Sequence, residues 1–215
     1  MHQTIINLNS IKEELKLIDN KLPSIIAVSK TFKKIDIMPL IESGHIHFGE
    51  NKVQEALEKW ENIKKDHLSI KLHMIGKLQT NKVKYVVPLF DYLHSLDNIK
   101  LAKKISLEEK KMNKKLKIFI QINLGNEEQK SGIKPEELID FYKICKEELS
   151  LNIIGLMCLP PNNKNVTNYF SEMQNLKSIV NLNELSMGMS NDYLQAIKYG
   201  STYVRIGSKI FGTRT

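Results

Sequence analysis

Cysteine, arginine and long apolar runs are scarce in this chain of 215 residues, and each scarcity excludes a class of protein. The two cysteines, Cys145 and Cys158, do not form a C-x-x-C pair, which argues against a disulfide framework or a zinc site. The longest apolar runs, residues 25–28 and 85–90, are far too short to span a membrane. Residues 1–9 lack the basic leader and apolar segment of a signal peptide. We therefore expect a soluble, cytoplasmic protein with no membrane partner.

The net charge of +8 comes almost entirely from lysine, because only Arg205 and Arg214 are arginines among the 32 basic residues. Nucleic-acid-binding surfaces combine a clustered basic stripe with base-reading or stacking residues. Here the lysines alternate with acidic residues in helical segments such as residues 108–117. We therefore expect no nucleic-acid partner, and a basic nucleic-acid-binding protein is the alternative from a different functional class.

Short apolar runs alternate with longer amphipathic segments from residue 24 onward, without a linker or a change in composition. Strands are predicted at residues 25–29, 46–48, 71–75, 92–96, 116–123, 152–157, 184–187 and 203–206. Helices are predicted at residues 4–19, 35–43, 52–64, 81–87, 99–112, 135–149, 165–180 and 192–199. This alternation predicts a single (β/α)8 TIM-type barrel domain over residues 1–215, with an extra N-terminal helix. An open doubly wound sheet is the alternative, although no G-x-G-x-x-G fingerprint follows the first strand.

Three polar residues lie at or near the ends of the first three predicted strands, where a barrel carries its functional residues. Lys30 follows the buried run of residues 25–28, and packing alone does not account for an ammonium group there. Most lysines of this chain are explained as solvated charge. Asn51 is either a helix N-cap or an amide beside the same pocket. His73 is either a core histidine or a pocket residue.

The last two predicted strands each lead into a turn of small residues. Ser190 follows the seventh strand at the start of a helix, and Gly207 and Ser208 follow the eighth. Barrels often bind phosphate at these two loops, because free backbone N–H groups, hydroxyls and small side chains favour an anion. Beside them, Arg205 provides a planar and permanently charged group where this chain otherwise uses lysine. That group serves either a structural salt bridge or a ligand.

A lysine amine, an anion site and a fixed cation together suit pyridoxal 5′-phosphate (PLP). Lys30 would form the aldimine, the two turns would hold the phosphate, and Arg205 would face the ring nitrogen. Because the guanidinium of arginine only donates hydrogen bonds, it cannot accept one from a protonated ring nitrogen, so that nitrogen would stay largely unprotonated. The cofactor would then be a poorer electron sink.

Seven segments carry specific motifs, in order, along nearly the whole chain. They are IAVSKT (26–31), FGENKVQE (48–55), HMIGKLQTNK (73–82), QINLGNEEQKSG (121–132), GLMCLPP (155–161), LSMGMSNDYLQAI (185–197) and GSTYVRIGSKIFGTR (200–214). Together they resemble the pyridoxal phosphate homeostasis protein family. The N-terminal helix and the lysine-rich linking helices lack signature residues.

The resemblance implies a barrel related to the N-terminal domain of alanine racemase, with PLP bound covalently. It implies that Lys30 is the aldimine lysine and that Arg205 faces the ring nitrogen. Ser190, Gly207 and Ser208 fall at the phosphate positions, where many relatives carry threonine in place of Ser208 and so keep the hydroxyl.

The same resemblance implies which residues form the walls of the cofactor pocket. Asn51 and His73 would line the pocket with less specific roles. Met187 and Met157 would supply its apolar walls.

The resemblance also implies a function. Two-base racemisation needs an acid/base group on each face of the substrate α-carbon, and alanine racemase takes the second from a tyrosine in a β domain after the barrel. We expect no such C-terminal β domain here, because the sequence stops at Thr215. The expected protein holds PLP and maintains intracellular PLP (vitamin B6) homeostasis, without efficient catalysis and with indirect effects on amino-acid and keto-acid balance. A weak PLP-dependent amino-acid racemase is the alternative.

The expected partners are PLP itself and apo PLP-dependent enzymes that accept the cofactor, with the chain a monomer or a weak dimer. Lys130, in the turn after the fifth strand, lies on the same predicted rim. We hypothesise that it takes part in release of the cofactor.

Overall fold

Eight short and mostly buried strands form the centre of the molecule. They are β1 Ser24–Val28, β2 His47–Glu50, β3 Lys71–Met74, β4 Tyr92–Leu96, β5 Lys117–Ile122, β6 Ile153–Cys158, β7 Glu184–Met189 and β8 Tyr203–Ile206. Each strand pairs in parallel with the next, and β8 pairs with β1, which closes the barrel. This computed structural model describes residues 1–18, 21–125, 131–161 and 166–212. The predicted (β/α)8 barrel is confirmed, and each strand end lies within two residues of its predicted position.

Helices surround the barrel. They are α1 Gln3–Lys16, α2 Lys34–Glu42, α3 Val53–Asp66, α4 Val83–Leu89, α5 Ile99–Met112, α6 Leu138–Lys143, α7 Val166–Ile179, α8 Tyr193–Lys198 and α9 Ser208–Phe211. The single helix predicted at residues 135–149 is instead a 3-10 turn at Pro135–Glu137, then α6, then a π-helical turn at Ile144–Glu148. Helix α9 was not predicted, because a single turn is too short to show a helical period in the sequence.

Alternation along the strands divides the buried residues between two layers. Ile25 and Ala27 of β1 belong to the larger apolar core between the strands and the helices. Ile26 and Val28 belong to a smaller cluster inside the barrel, with Phe119 of β5. The barrel interior also contains polar side chains, which are described below. The interior of the barrel therefore contains both apolar and polar side chains.

The N-terminal helix α1 closes against the end of the chain. Its residues Ile11 and Leu15 are fully buried in the larger core. Glu14 accepts hydrogen bonds from the hydroxyl of Tyr193 in α8 and from Lys209 in α9, the latter at 2.8 Å. None of the helices within the described ranges is long and apolar enough to cross a membrane.

Candidate functional site

A cavity of about 810 Å³ opens at the carboxyl end of the barrel, where β1, β7 and β8 lead into their loops. Apolar side chains form part of its wall, including Val28, Ile75 and Leu159. Six of the predicted cofactor-binding residues line it: Lys30, Asn51, Ser190, Arg205, Gly207 and Ser208. The structure therefore brings the lysine, the two small-residue turns and the arginine to one space.

The turn that carries Lys30 is fixed on both sides of the lysine. Before it, the hydroxyl of Ser29 donates to Glu50 Oε1 at 2.8 Å, and the Ser29 carbonyl accepts from Lys59 Nζ at 2.8 Å. After it, Thr31 has a positive φ of 70° and its backbone N–H donates to Glu55. A non-glycine residue in this region is uncommon and needs support from its surroundings. The backbone at Lys30 is thus held in one position at the edge of the cavity.

Glu50, the last residue of β2, is the centre of this support. Its side chain is fully buried, and Oε1 accepts from Lys59 Nζ at 2.9 Å and from Trp60 Nε1 at 2.9 Å, in addition to Ser29. The side chain of Lys59 is only 7% exposed, so this is a buried ion pair directly behind the Lys30 turn. A buried charge is stable only when it is paired and hydrogen-bonded in this way.

Asn51 lies in the loop between β2 and α3. The N-cap of α3 is Lys52, so the N-cap interpretation of Asn51 is wrong. The next loop packs closely on it, because a Cβ at Gly76 would lie 2.3 Å from the Asn51 carbonyl oxygen. The side-chain oxygen Oδ1 of Asn51 is buried and has no hydrogen-bond partner among the described residues. It is therefore a hydrogen-bond acceptor available to a ligand in the cavity.

Arg205 comes from β8 and is only 4% exposed. Its NH1 group donates to the Ser186 carbonyl and to Ser186 Oγ, each at 2.7 Å, and NH2 donates to the Cys158 carbonyl at 2.8 Å. No ion pair in the described part of the chain includes Arg205, so the salt-bridge interpretation has no support there. Burial lowers the pKa of the guanidinium, yet arginine stays protonated in proteins. The site therefore holds a permanent cation against neutral oxygen atoms.

The two small-residue turns lie on the same side of the cavity as Arg205. Gly188, with a φ of 91°, turns the chain at the end of β7 toward Ser190. Ser190 lies in a turn before α8, which begins at Tyr193, one residue after the predicted start of that helix at residue 192. Gly207 is the N-cap of α9 and Ser208 is its first residue.

His73 does not line the cavity. It lies inside the barrel and is fully buried, with its ring stacked on Tyr92 at 4.1 Å between ring centroids. Its Nδ1 is 2.9 Å from Nε2 of His94, and its Nε2 is 2.9 Å from Nδ1 of His47. Burial, followed by the influence of His94, lowers the pKa of His73 well below its ordinary value. Of the two interpretations of His73, the core histidine describes its position.

The methionines of the predicted apolar wall are also placed elsewhere. Met187 is fully buried in the core outside the barrel, and Met157 is fully buried inside it. The methionine of β7 that lines the cavity is Met189, since it lies beyond the bulge at the end of that strand. Lys130 lies outside the described residues.

A closed barrel with these groups at its carboxyl end belongs to the class of (β/α)8 barrels that bind a ligand at the carboxyl ends of their strands. The sequence model of the family described as "Alanine racemase, N-terminal domain" matches residues 6–215. The chain is also 37% identical over 225 residues to the pyridoxal phosphate homeostasis protein of Haemophilus influenzae, covering 97% of this chain and 94% of that protein. The chain belongs to the pyridoxal phosphate homeostasis protein family.

Two solved structures of PipY from Synechococcus elongatus are similar to the whole chain. The structure without PLP has a TM-score of 0.90 at 29% identity and covers 98% of this chain and 100% of the PipY chain. The structure with PLP bound has a TM-score of 0.86 at 30% identity, with the same coverage of both chains. The fold is therefore shared from end to end with a protein that binds PLP.

Proposed function

We propose that residues 1–215 form one PLP-binding barrel domain that holds the cofactor and maintains intracellular PLP. The observation that carries the proposal is that Lys30, Arg205 and the turns containing Ser190 and Ser208 line a single cavity. The names of the relatives and the PLP-bound PipY structure support the same cofactor.

The residues of the cavity fit PLP in size and in chemistry. A volume of about 810 Å³ lies within the usual range of small-molecule sites. The hydroxyls of Ser190 and Ser208 lie on two adjacent loops, as a phosphate site of a barrel requires. The buried and unpartnered Oδ1 of Asn51 offers an acceptor to a polar group of a ligand. Such an orphaned buried acceptor is costly unless a ligand or water satisfies it.

Each group has a separate role in holding the cofactor. Lys30 would provide the amine for covalent attachment, with its backbone fixed by Ser29 and Thr31 on either side. Ser190, Gly207 and Ser208 would bind the phosphate. Arg205 would present a donor, and no proton acceptor, to the ring nitrogen. When bound, PLP supplies an aldehyde for an amine and an electron-withdrawing ring.

We propose storage and delivery of the cofactor, with no efficient catalysis. The relatives are named as homeostasis proteins, which agrees with this role, whereas the barrel itself is related to racemases. The proposal includes action in the cytoplasm, apo PLP-dependent enzymes as acceptors, and a monomeric or weakly dimeric state. His73, Met157 and Met187 have no direct contact with the cofactor in this proposal, because they do not line the cavity.

Chemical trapping of the lysine tests the proposal. The purified chain is incubated with stoichiometric PLP, its absorption spectrum is recorded, and the adduct is reduced with borohydride and mapped by peptide mass spectrometry. We expect one adduct, on Lys30, and its loss in Lys30→Ala. Lys34→Ala is the matched control, since Lys34 is exposed at the start of α2 and does not line the cavity.

Two results would overturn the proposal. One is an adduct that persists in Lys30→Ala at the same stoichiometry. The other is rapid interconversion of amino-acid enantiomers by the PLP-loaded chain, which would favour the racemase. An oligonucleotide retained without PLP, with a steep salt dependence, would instead favour the nucleic-acid-binding alternative.

A further inference from the structure

The polar side chains inside the barrel form one continuous chain of hydrogen bonds that ends at Arg205. From Arg205 NH1 it passes to Ser186 Oγ at 2.7 Å, and from Ser186 Oγ to His94 Nδ1 at 2.9 Å. It continues from His94 Nε2 to His73 Nδ1 at 2.9 Å and from His73 Nε2 to His47 Nδ1 at 2.9 Å. The chain thus uses three of the six histidines of the protein, on three adjacent strands.

The donor-to-acceptor direction of these hydrogen bonds is set at Arg205. A guanidinium only donates, so Ser186 Oγ must accept from it. Ser186 is fully buried, and among the described residues the only other partner of its hydroxyl is His94 Nδ1. If Nδ1 carried a proton and donated to Ser186, the serine hydrogen would be buried without an acceptor, at a substantial cost. The serine therefore donates to His94, and the proton of the neutral His94 lies on Nε2.

The same argument fixes the tautomer of each following histidine. A neutral imidazole has one N–H and one acceptor nitrogen, so His94 Nε2–H donates to His73 Nδ1, and His73 Nε2–H donates to His47 Nδ1. His73 and His94 are fully buried, and burial is the main cause that lowers the pKa of each well below its ordinary value. Of the three, only His47 at the start of β2 is partly exposed. The row of hydrogen-bonded histidines thus runs from the cavity to the opposite end of the barrel.

Stacking holds the rings of this chain in place. His94 stacks on Phe119 with 4.3 Å between the ring centroids and 18° between the planes, and His73 stacks on Tyr92 at 4.1 Å and 15°. Stacking limits each ring to its present plane, and a half-turn within that plane would put ring carbons where the nitrogens now form their hydrogen bonds. The acceptor side of Ser186 Oγ is therefore held toward Arg205.

We infer that His94, supported by His73 and His47, is a positioning residue for Arg205: the one-directional histidine chain holds the guanidinium in the orientation in which it meets a ligand. The inference rests on the proposed function, since the ligand it concerns is the ring of PLP. It predicts that a histidine that does not line the cavity alters how the cofactor is bound.

The first test uses the protein without PLP and so does not depend on the cofactor. Nitrogen-15 NMR of the histidine rings near neutral pH should show His47, His73 and His94 each as the neutral tautomer protonated at Nε2. In Ser186→Ala, we expect His94 to lose that single tautomer. Ser201→Ala is the matched control. Ser201 is a buried serine just before β8, and its hydroxyl bonds to backbone carbonyls that do not belong to the row of hydrogen-bonded histidines. An Nδ1–H tautomer of His94 in the unchanged protein would overturn the inference.

The second test measures the bound cofactor. His94→Phe keeps an aromatic ring beside Phe119 but removes the acceptor of Ser186, and we expect PLP to be retained about five- to tenfold more weakly, with a shifted absorption band. His94→Asn, whose amide oxygen can take the place of Nδ1, should restore most of both. His45→Phe is the control, since His45 is another largely buried histidine whose Nε2 bonds to the His47 carbonyl rather than to the chain.

The outcomes separate the inference from the proposed function. If the unchanged chain forms no adduct at Lys30, the proposed function fails, whereas the tautomer measurement still decides whether the histidine chain exists. If PLP binds and His94→Phe behaves as His45→Phe does, His94 does not position Arg205. Should His94→Phe fail to fold, the absorption band and PLP retention of His73→Phe against His45→Phe decide the same question, since that variant keeps a ring beside Tyr92 but removes the acceptor of His94.

Discussion

The two cations of the site are supported in opposite ways. The turn of Lys30 is held by charged groups, because Glu50 forms a buried ion pair with Lys59 directly behind it. Arg205 is held by neutral groups only, namely two backbone carbonyls and the hydroxyl of Ser186. Lys30 follows β1, Arg205 lies in the neighbouring strand β8, and both line one cavity.

This difference follows from what each cation has to do. In the proposed function, Lys30 must lose its proton to react with an aldehyde, so a carboxylate in direct contact with it would oppose the reaction. The carboxylate of Glu50 instead fixes the backbone through Ser29 and is neutralised by Lys59. Arg205 has to present its charge to the ligand, and its direct hydrogen-bond partners are neutral oxygens, although the carboxylate of Asp192 also lines the cavity. The support of each side is therefore matched to its chemistry.

Removing Lys59 should produce the largest effect. Lys59→Met leaves the carboxylate of Glu50 buried without its cation, and we expect a loss of about 3–5 kcal/mol in the free energy of unfolding, measured with urea. Lys16→Met is the control, since the Lys16–Glu13 pair is exposed and should contribute less than about 1 kcal/mol.

A second substitution in the same chain sharpens this result. Glu50→Gln added to Lys59→Met removes the unpaired charge, so part of the lost stability should return. Equal losses in Lys59→Met and Lys16→Met would show that the buried pair does not stabilise the Lys30 turn.

The sequence predicts the two cations of the site but not the groups that support them, and the reason is physical. Lys30 and Arg205 could be predicted because strand ends and an unusual residue type mark them directly in the sequence. Their supports could not, since Glu50 and Ser186 act through partners distant in the chain, such as Lys59 and His94. Periodicity predicts which face of a strand a residue occupies, but it carries no information about which side chains meet inside a closed barrel.

The pocket residues illustrate the same limit. Met187 was expected in the wall, but a bulge between β7 and β8 places Met189 there instead. A bulge shifts the alternation of side chains by one position, and its only mark in the sequence here is Gly188, which does not by itself give the new register. His73 was left open between core and pocket, and the closed ring of strands decides this by placing it against His94.

On the neutral side, the shape of Arg205 should matter more than its charge. Arg205→Lys keeps the charge but replaces a planar fork with a single ammonium, which cannot satisfy both Ser186 and the Cys158 carbonyl in the present geometry. We expect about 1.5–3 kcal/mol of lost unfolding free energy, measured with urea. Lys34→Arg, at the exposed start of α2, is the control and should change little. Unchanged stability in Arg205→Lys would mean that the charge alone suffices.

The smallest expected effect is on the pH dependence of the free energy of unfolding, which the buried histidines behind Arg205 influence. Burial lowers the pKa of His73 and His94 well below the ordinary value of 6.5, and lowers that of His45 to about 4. Below about pH 6.5 the unfolded chain therefore binds more protons than the folded one. The stability that these neutral histidines contribute is present in full above about pH 6.5. It is lost as the pH falls from there toward the lowered pKa values of the folded protein.

Each such histidine should contribute a slope of about 1.4 kcal/mol per pH unit within that pH range. Urea unfolding between pH 7.5 and 5 should therefore give a slope smaller by that amount in His94→Phe, whereas Lys16→Met should keep the slope of the unchanged chain. If His94→Phe keeps the full slope, His94 is charged in the folded protein. A charged His94 would donate from both ring nitrogens, so Ser186 would accept from two donors, and a second buried cation would lie behind the serine that supports Arg205.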